Sequence, residues 1–590
     1  MVYIKTLLIT LNAKYIHSSL ALRYLQAYCN EGCGEICIKE YTINNKLLNI
    51  LSDVYKEKPD VIGVACYIWN IEMTMRLIGL IKKVMPHTVV VVGGPEVSYD
   101  PAVIMKEKPD IDYLIQGEGE VVLKALLRVL ADHGRVDSID GLAFRADGGQ
   151  ITINGTSQTV ACLDEVPFPY TEASMRELKD KIIYYESTRG CPFNCQYCLS
   201  SATAGVRFRS LDLVYEELAF FIKHNVRQVK FVDRTFNAAK RHYLPIMNFL
   251  ARQECETNFH FEIAVDLLDE EDICFLKDVK TGRFQFEIGI QSTNELTLQA
   301  ISRVNHWDKI TRNVTGLRAN DNIHLHLDLI AGLPEESYWQ FGQSFNQVYQ
   351  LKPHMVQLGF LKMLKGAGMR KNAPKYDYIY ADYAPYEVLA NSSISYEELS
   401  RLKILEGLVD QFYNSGRFQY VLPFLIEQYG GDAFAFFHSF TVYWENRQYN
   451  MVDHSVKACY KHLIDFYNEQ KPVAQPELLK ELLKFNALMI EGGSVKPEFL
   501  LWDDSWEQEK TEFWRSTRTV LKYIPDYQFT TWRELKKHYH IEVFTFNVAK
   551  YFSQPQAMQQ ELTPILISYN TKTSYQIIDR QDFCLEKRSK

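Results

Sequence analysis

Cysteine is sparse, with twelve in 590 residues. That excludes a disulfide scaffold and fits a reducing compartment. Long apolar runs are missing too. The longest, Val61 to Trp69, is nine residues, against roughly 20 for a membrane-spanning helix, so no span is expected. The opening, MVYIKTLLITLN, has one lysine and an apolar run too short for a signal peptide, and a cytoplasmic location is expected. Positive charge is not in surplus. Lys+Arg 65 against Asp+Glu 73 leaves a net charge of −8, which supplies no long-range attraction for nucleic acid, and none is expected as a partner. No internal repeat or low-complexity tract is visible. Hydrophobic residues make up 47% and charged residues 23%, which excludes wholesale disorder. The length suggests about three to five domains. Tyr 36, Phe 33 and Trp 8 could line pockets for flat ligands, although most of these rings are expected in the core.

The pattern is α/β. Residues 1–135 alternate strands (KTLLIT, Asp60–Tyr67, Thr88–Val92, Asp112–Ile115) with helices at Leu20–Tyr28, at Ile71–Met85 and from Val121. Continuous apolar strands of this kind belong to a buried parallel sheet, and βαβαβ order predicts a doubly wound, Rossmann-like domain. Gly93-Gly94 and Gly117-Glu118-Gly119-Glu120 fall at strand ends, where such sheets bind ligands and where glycine lets backbone approach them. Residues 136–180 read as a small β excursion and a connector stiffened by Pro167 and Pro169. Residues 181–370 carry six strand patterns with helices between, at Ile182–Ser187, Gln228–Val232, Phe259–Val265, Phe284–Ile290, Ile323–Ile330 and His354–Phe360. They predict a partial, TIM-like (βα)6 barrel with its site at the C-terminal strand ends. Residues 390–590 change character. A capping box at Ser395-x-x-Glu398, a helix from Pro476 and a hairpin over Ile565–Ile578 suggest an α+β domain.

Six cysteines are scattered singly, Cys66, Cys162, Cys255, Cys274, Cys459 and Cys584, and read as small buried hydrophobes. Cys29, Cys33 and Cys37 form a looser group around a glycine-containing turn, with a metal there as a minor alternative. Cys191-Pro-Phe-Asn-Cys195-Gln-Tyr-Cys198 is different. Three thiols on one tight loop after the first barrel strand can bind three irons of a 4Fe-4S cluster, leaving the fourth iron open, as catalytic metal sites do. A zinc site would want a fourth ligand, and no second CxxC pair or nearby His supplies one.

CxxxCxxC in this position resembles the radical S-adenosylmethionine superfamily. Phe231-Val-Asp-Arg-Thr-Phe-Asn237, Glu287-Ile-Gly-Ile-Gln-Ser292 and Gly332-Leu-Pro-Glu335, at the ends of candidate strands two, four and five, look like barrel motifs of the subgroup with an N-terminal cobalamin-binding domain. The opening LNAKYIHSSLALRYL and the two glycine turns look like that domain. The likeness covers roughly residues 1–370. The last 200 residues match only a domain of unknown function found behind such enzymes.

The resemblance implies an enzyme with three cofactors, a 4Fe-4S cluster on Cys191, Cys195 and Cys198, S-adenosylmethionine on the open iron, and cobalamin. Reductive cleavage of the sulfonium would yield a 5′-deoxyadenosyl radical, with electrons from an external carrier such as flavodoxin or ferredoxin. By the same likeness Tyr197 would pack on adenine, Gln291 and Ser292 would touch ribose or methionine polar groups, and Arg303 would pair with the methionine carboxylate. Gly93, Gly94, Gly117, Glu118 and Gly119 would border the cobalamin. Asp233 would bind a ligand or hold Arg234. The Asp-x-His-x-x-Gly signature, whose His ligates cobalt from below, is absent around His17, so no His ligand is expected. Methyl transfer to an unactivated carbon is the reaction expected. A radical cyclase or oxidase resembling the anaerobic magnesium-protoporphyrin IX monomethyl ester cyclases is the alternative. A methylthiotransferase would need three further cysteines for a second cluster, and a pure cobalamin sensor or carrier would need no open iron. The two cofactor sites are expected to fail independently, being in different domains. A monomer is expected, and the substrate, small molecule or peptide, is not readable.

Overall fold

A computed structural model describes residues 3–146, 148–156, 159–199, 205–470, 476–500, 502, 505–552, 560–570 and 573–583. The chain divides into two compact units, Met1–Leu399 and Ser400–Lys590. Among the described residues no helix is long and apolar enough to cross a membrane.

The first unit opens with strands β1 (Lys5–Asn12), β2 (Glu35–Thr42), β3 (Val61–Ala65), β4 (Val89–Gly93), β5 (Tyr113–Ile115), β6 (Leu142–Arg145) and β7 (Ile151–Ile153). They form one sheet in the order β2-β1-β3-β4-β5-β6-β7. The first five are parallel and the last two antiparallel. β3 is buried along its whole length, as expected for a strand covered on both faces. Chain order reverses between β1 and β3, and in such sheets the ligand crevice lies outside the strand C-termini at that reversal. The edge strand β2 was not expected; its sequence EICIKEYT leaves most positions only part-buried and lacks an apolar run. The small β excursion expected before the connector is β6 and β7, which extend the first sheet.

All six expected barrel strands form. They are β8 (Ile183–Tyr185), β11 (Gln228–Phe231), β12 (Asn258–Ile263), β13 (Phe284–Gln291), β14 (His324–Ala331) and β15 (Met355–Phe360), in the order β15-β14-β13-β12-β11-β8 and all parallel. Side chains alternate strictly. Phe284, Phe286, Ile288 and Ile290 of β13 are buried while Gln285, Glu287, Gly289 and Gln291 are half-buried, so one sheet face is core and the other a polar hollow. Two short strands between β8 and β11, β9 (Thr188–Gly190) and β10 (Val206–Phe208), pair antiparallel. They form the stem from which the cysteine loop projects. Two small strands, β16 (Ile379–Tyr380) and β17 (Val388–Ala390), follow the barrel.

In the second unit, helices including Ala433–Asn446, Val456–Gln470 and Pro476–Ile490 accompany an antiparallel sheet of β18 (Tyr539–Phe546), β19 (Gln560–Ser568) and β20 (Ser574–Ile577). The expected helix start at Pro476 and the pairing of β19 with β20 are both present. A buried ion pair, Lys484 to Glu542 at 2.9 Å, ties the Pro476 helix to β18. Phe412, Phe436, Phe440 and Phe466 pack on one another inside this unit, so these rings are core.

Candidate active site

The cysteine loop is built on glycine at its base. Gly190 has φ +107°, and a Cβ there would stand 2.2 Å from the Gly205 carbonyl oxygen across the stem, so only glycine fits. None of Cys191, Cys195 and Cys198 is in a disulfide. The Cys191 thiol lies 3.5 Å from the Thr235 hydroxyl, and Arg303 Nη1 donates to Cys195 Sγ at 3.7 Å and to the Tyr197 hydroxyl at 3.2 Å. Among the described residues no three His, Cys, Asp or Glu side chains gather tightly enough to share a single metal ion. A four-iron cluster is wider than one ion, and its thiolate ligands stand correspondingly apart. Of the Cys29, Cys33 and Cys37 group, Cys29 and Cys33 are hydrogen-bonded to each other but Cys37 does not join them. Cys29 and Cys33 are buried, while the Cys37 thiol donates to Glu35. Of the scattered cysteines, Cys66 and Cys459 are buried as expected, but Cys162 and Cys274 are exposed. Cys584 lies outside the described residues.

Gln291 sits at φ +69°, an uncommon conformation for a non-glycine residue that clusters at functional sites. Its side chain folds over Gly289, where a Cβ would meet Gln291 Nε2 at 2.2 Å, and its Oε1 is buried without a hydrogen-bond partner. Arg303 also donates to the Gly289 carbonyl and forms no ion pair to a carboxylate among the described residues. An unpaired cation, an orphaned acceptor and a tyrosine ring thus collect beside the cysteine loop, a donor set suited to a zwitterionic amino acid with a ribose. Ser292 is not part of it. Fully buried, it donates to Glu336 Oε1 at 2.5 Å and accepts from the Asn294 backbone N–H.

Asp233 holds the end of β8, not Arg234. It accepts from the Ser187 backbone N–H at 3.1 Å, the Ser187 hydroxyl at 2.8 Å and the Thr188 hydroxyl at 2.6 Å. Full burial pushes its carboxyl up to about 7, against the pull of those donors. A carboxyl raised by folding binds its proton more tightly in the folded state. Its cost is therefore complete above pH 7 and is relieved as pH falls toward its ordinary value near 4. Asp233→Asn should accordingly gain on the wild-type denaturation midpoint as pH rises from about 4 to about 7; a difference that stays constant across that range would contradict this assignment.

A cavity of about 640 Å³ opens at the C-terminal ends of the first sheet's strands, where the order reversal places it. Gly93, Gly94, Gly117, Glu118 and Gly119 all border it, with Tyr67, Trp69 and His17. The Tyr67 and Trp69 rings stack at 4.5 Å. Gly94 has φ +113°, and a Cβ there would stand 2.5 Å from the Cys66 carbonyl oxygen, whereas a Cβ on Gly93 would meet nothing nearer than 3.8 Å. Gly93 is thus the position where a ligand can approach the sheet. His17 Nδ1 bonds the Tyr184 hydroxyl at 2.7 Å, and burial, then Lys14 and Lys230, lower its pKa. The barrel closes the other side through Tyr184, Glu186, Arg189, Val232 and Arg234. A wide, largely apolar hollow with glycine on one wall fits a large flat macrocycle such as a corrin.

Sequence reading did not assign Arg189 or Arg207. Arg189 pairs with Glu118 at 3.1 Å, Glu120 at 2.9 Å and Glu186 at 2.8 Å, and Arg207 also pairs with Glu118. Burial pushes the Glu118 carboxyl up, but the two arginines bring it net below its ordinary value. The Thr188-Arg189-Gly190 run stood in plain view; its partners Glu118 and Glu120, in a distant turn of the first sheet, did not.

Three family models match the chain: a B12 binding domain over residues 6–127, the radical SAM superfamily over 185–348, and a protein of unknown function, DUF4080, over 374–567. The cobalamin-dependent radical SAM methyltransferase TokK of Streptomyces tokunonensis is 28% identical over 324 residues, 52% of this chain and 47% of that protein. The 2-(S-pantetheinyl)-carbapenam-3-carboxylate methyltransferase of Streptantibioticus cattleyicolor is 29% identical over 313 residues, 50% of this chain and 46% of that one. The chain thus spans about half the length of these two relatives. The structure of the cobalamin-dependent S-adenosylmethionine radical enzyme OxsB, with aqua-cobalamin and S-adenosylmethionine bound, superposes with a TM-score of 0.56. It covers 93% of this chain and 84% of that one at 14% identity, a likeness of fold.

Proposed function

We propose that this chain, which belongs to the radical SAM enzymes with an N-terminal B12 binding domain, transfers a methyl group to an unactivated carbon of its substrate. The observation that carries the reading is the shared cavity, one wall from the first sheet and the other from the barrel strand that leads into the cysteine loop. When bound, the cluster and S-adenosylmethionine supply one-electron radical chemistry and cobalamin supplies the methyl group. The protein's part is to hold and orient them. Cys191, Cys195 and Cys198 would hold the cluster, Arg303 would pair with the carboxylate of S-adenosylmethionine, Gln291 would offer its orphaned carbonyl to a hydroxyl or ammonium, and Tyr197 would lie along the adenine. Gly93 would let the corrin approach the sheet, and Glu118 would position the turn beside it. His17, held by Tyr184, would not ligate cobalt. Electrons would come from an external one-electron carrier of the flavodoxin or ferredoxin class.

The test uses S-adenosylmethionine labelled with a trideuterated methyl group, given anaerobically with reductant to the reconstituted enzyme and a small-molecule extract. A product carrying the intact labelled methyl is expected. Formation of 5′-deoxyadenosine with new products that never carry the label would refute methyl transfer in favour of cyclisation or oxidation.

A further inference from the structure

The cysteine loop is the hairpin connection between β9 and β10, so whatever grips the stem sets where the loop projects. Val206 pairs with Gly190 and Arg207 with Arg189, which puts two like-charged side chains opposite each other one step below the loop. Glu186 takes part of the Arg189 charge at 2.8 Å, and one carboxylate bridges the two arginines. Glu118 Oε2 lies 3.1 Å from Arg189 Nη1 and 3.1 Å from Arg207 Nη1, and its Oε1 also accepts from Arg207. Glu120, two residues on, takes the other Arg189 nitrogen at 2.9 Å. Glu118 and Glu120 belong to the Gly117–Glu120 turn, which borders the cavity of the first sheet. The participating side chains are between 7% and 24% exposed, so solvent screens these pairs little. A second contact grips the loop itself. The Met369 backbone N–H donates to the Gln196 backbone carbonyl at 2.7 Å, and Gly368 is packed so closely that a Cβ would meet Gln196 Oε1 at 2.0 Å. Three residues earlier, Lys365 pairs with Glu96 at 3.7 Å, in the turn that follows Gly94. One turn facing the cavity is thus bonded to the stem of the cysteine loop, and the other to the 365–369 segment that touches the loop.

We infer that Arg189, clamped by Glu118, is a positioning residue that couples the two cofactor sites, so that assembly of the cluster tightens binding of cobalamin and the reverse. This rests on the reading that the chain holds both groups. The physical cause is ordering. A cluster that fixes the loop fixes the stem, and through Arg189 and Arg207 it fixes the turn on the cavity wall, so cobalamin no longer has to order that turn. The expectation that the two sites fail independently is replaced by this coupling.

The test measures the Kd of hydroxocobalamin on the full chain by anaerobic equilibrium dialysis, with the cluster assembled and after its removal by chelation. Wild type is expected to bind at least about fivefold more tightly when the cluster is present, the lower end of ordinary coupling between sites. In R189M the ratio should fall below about twofold. Because R189M leaves buried carboxylates uncompensated, E118Q is measured beside it; it keeps the side-chain shape while removing the charge that binds both arginines. A purely structural role would weaken cobalamin equally with and without the cluster, so a ratio preserved in the folded variants overturns the inference, as does a wild-type ratio of one. A folded variant that assembles its cluster only poorly, whether or not cobalamin is present, while wild type assembles better with cobalamin, supports the coupling from the other side. A wild-type chain that takes up neither iron nor hydroxocobalamin would overturn the cofactor reading itself.

Discussion

Replacing Cys191, Cys195 and Cys198 together by alanine is expected to reduce iron and sulfide in the anaerobically reconstituted protein from roughly four of each per chain to background. The effect should be this large because the described thiols elsewhere offer no comparable site. Burial pushes the Cys66 thiol up to about 12, and Cys459 up to about 11, which keeps both protonated and poor as ligands. Cys33 is the exception. A hydrogen bond from Cys29, with Arg128 and Lys124 nearby, brings its thiol below the ordinary value against the pull of burial. Iron retained by the triple variant would contradict the assignment and direct attention to Cys29 and Cys33.

Gly93→Trp is expected to weaken hydroxocobalamin binding by on the order of a hundredfold, about 2.7 kcal/mol, because the indole enters the cavity that the ligand needs. Gly93 suits the test because a Cβ there meets no atom nearer than 3.8 Å. At Gly94 any Cβ collides with the Cys66 backbone, so a variant there would test folding instead. Circular dichroism identical to wild type should accompany the loss. A folded Gly93→Trp protein that takes up hydroxocobalamin normally would place the ligand elsewhere.

The barrel was legible because its strands are short apolar runs whose alternate residues pack in the core, and Phe284, Phe286 and Ile288 show that period plainly. The same logic found β1, β3, β4 and β5, which are continuous apolar segments. It missed β2, where Glu35, Lys39 and Glu40 interrupt the run at an exposed sheet edge, and it did not foresee that β6 and β7 would extend the sheet. The cysteine triplet was readable because its chemistry is written in local spacing. Contacts between distant segments were not. Glu118 and Arg207 are 89 residues apart, and no periodicity links them. Asp233 was ambiguous because a buried acid at a strand end can serve a ligand or a backbone; only its three hydrogen bonds to Ser187 and Thr188 decide. Ser292 followed Gln291 in the same motif, but strand alternation turns it away, toward Glu336.

The most direct measurement of the central claim is reductive cleavage of S-adenosylmethionine, which needs no knowledge of the substrate. The reconstituted protein, given S-adenosylmethionine and dithionite under anaerobic conditions, is expected to form 5′-deoxyadenosine and methionine in equal amounts, and Cys198→Ala is expected to form neither above background. Absence of 5′-deoxyadenosine from a wild-type protein carrying a complete cluster, or its undiminished formation by Cys198→Ala, would contradict the account.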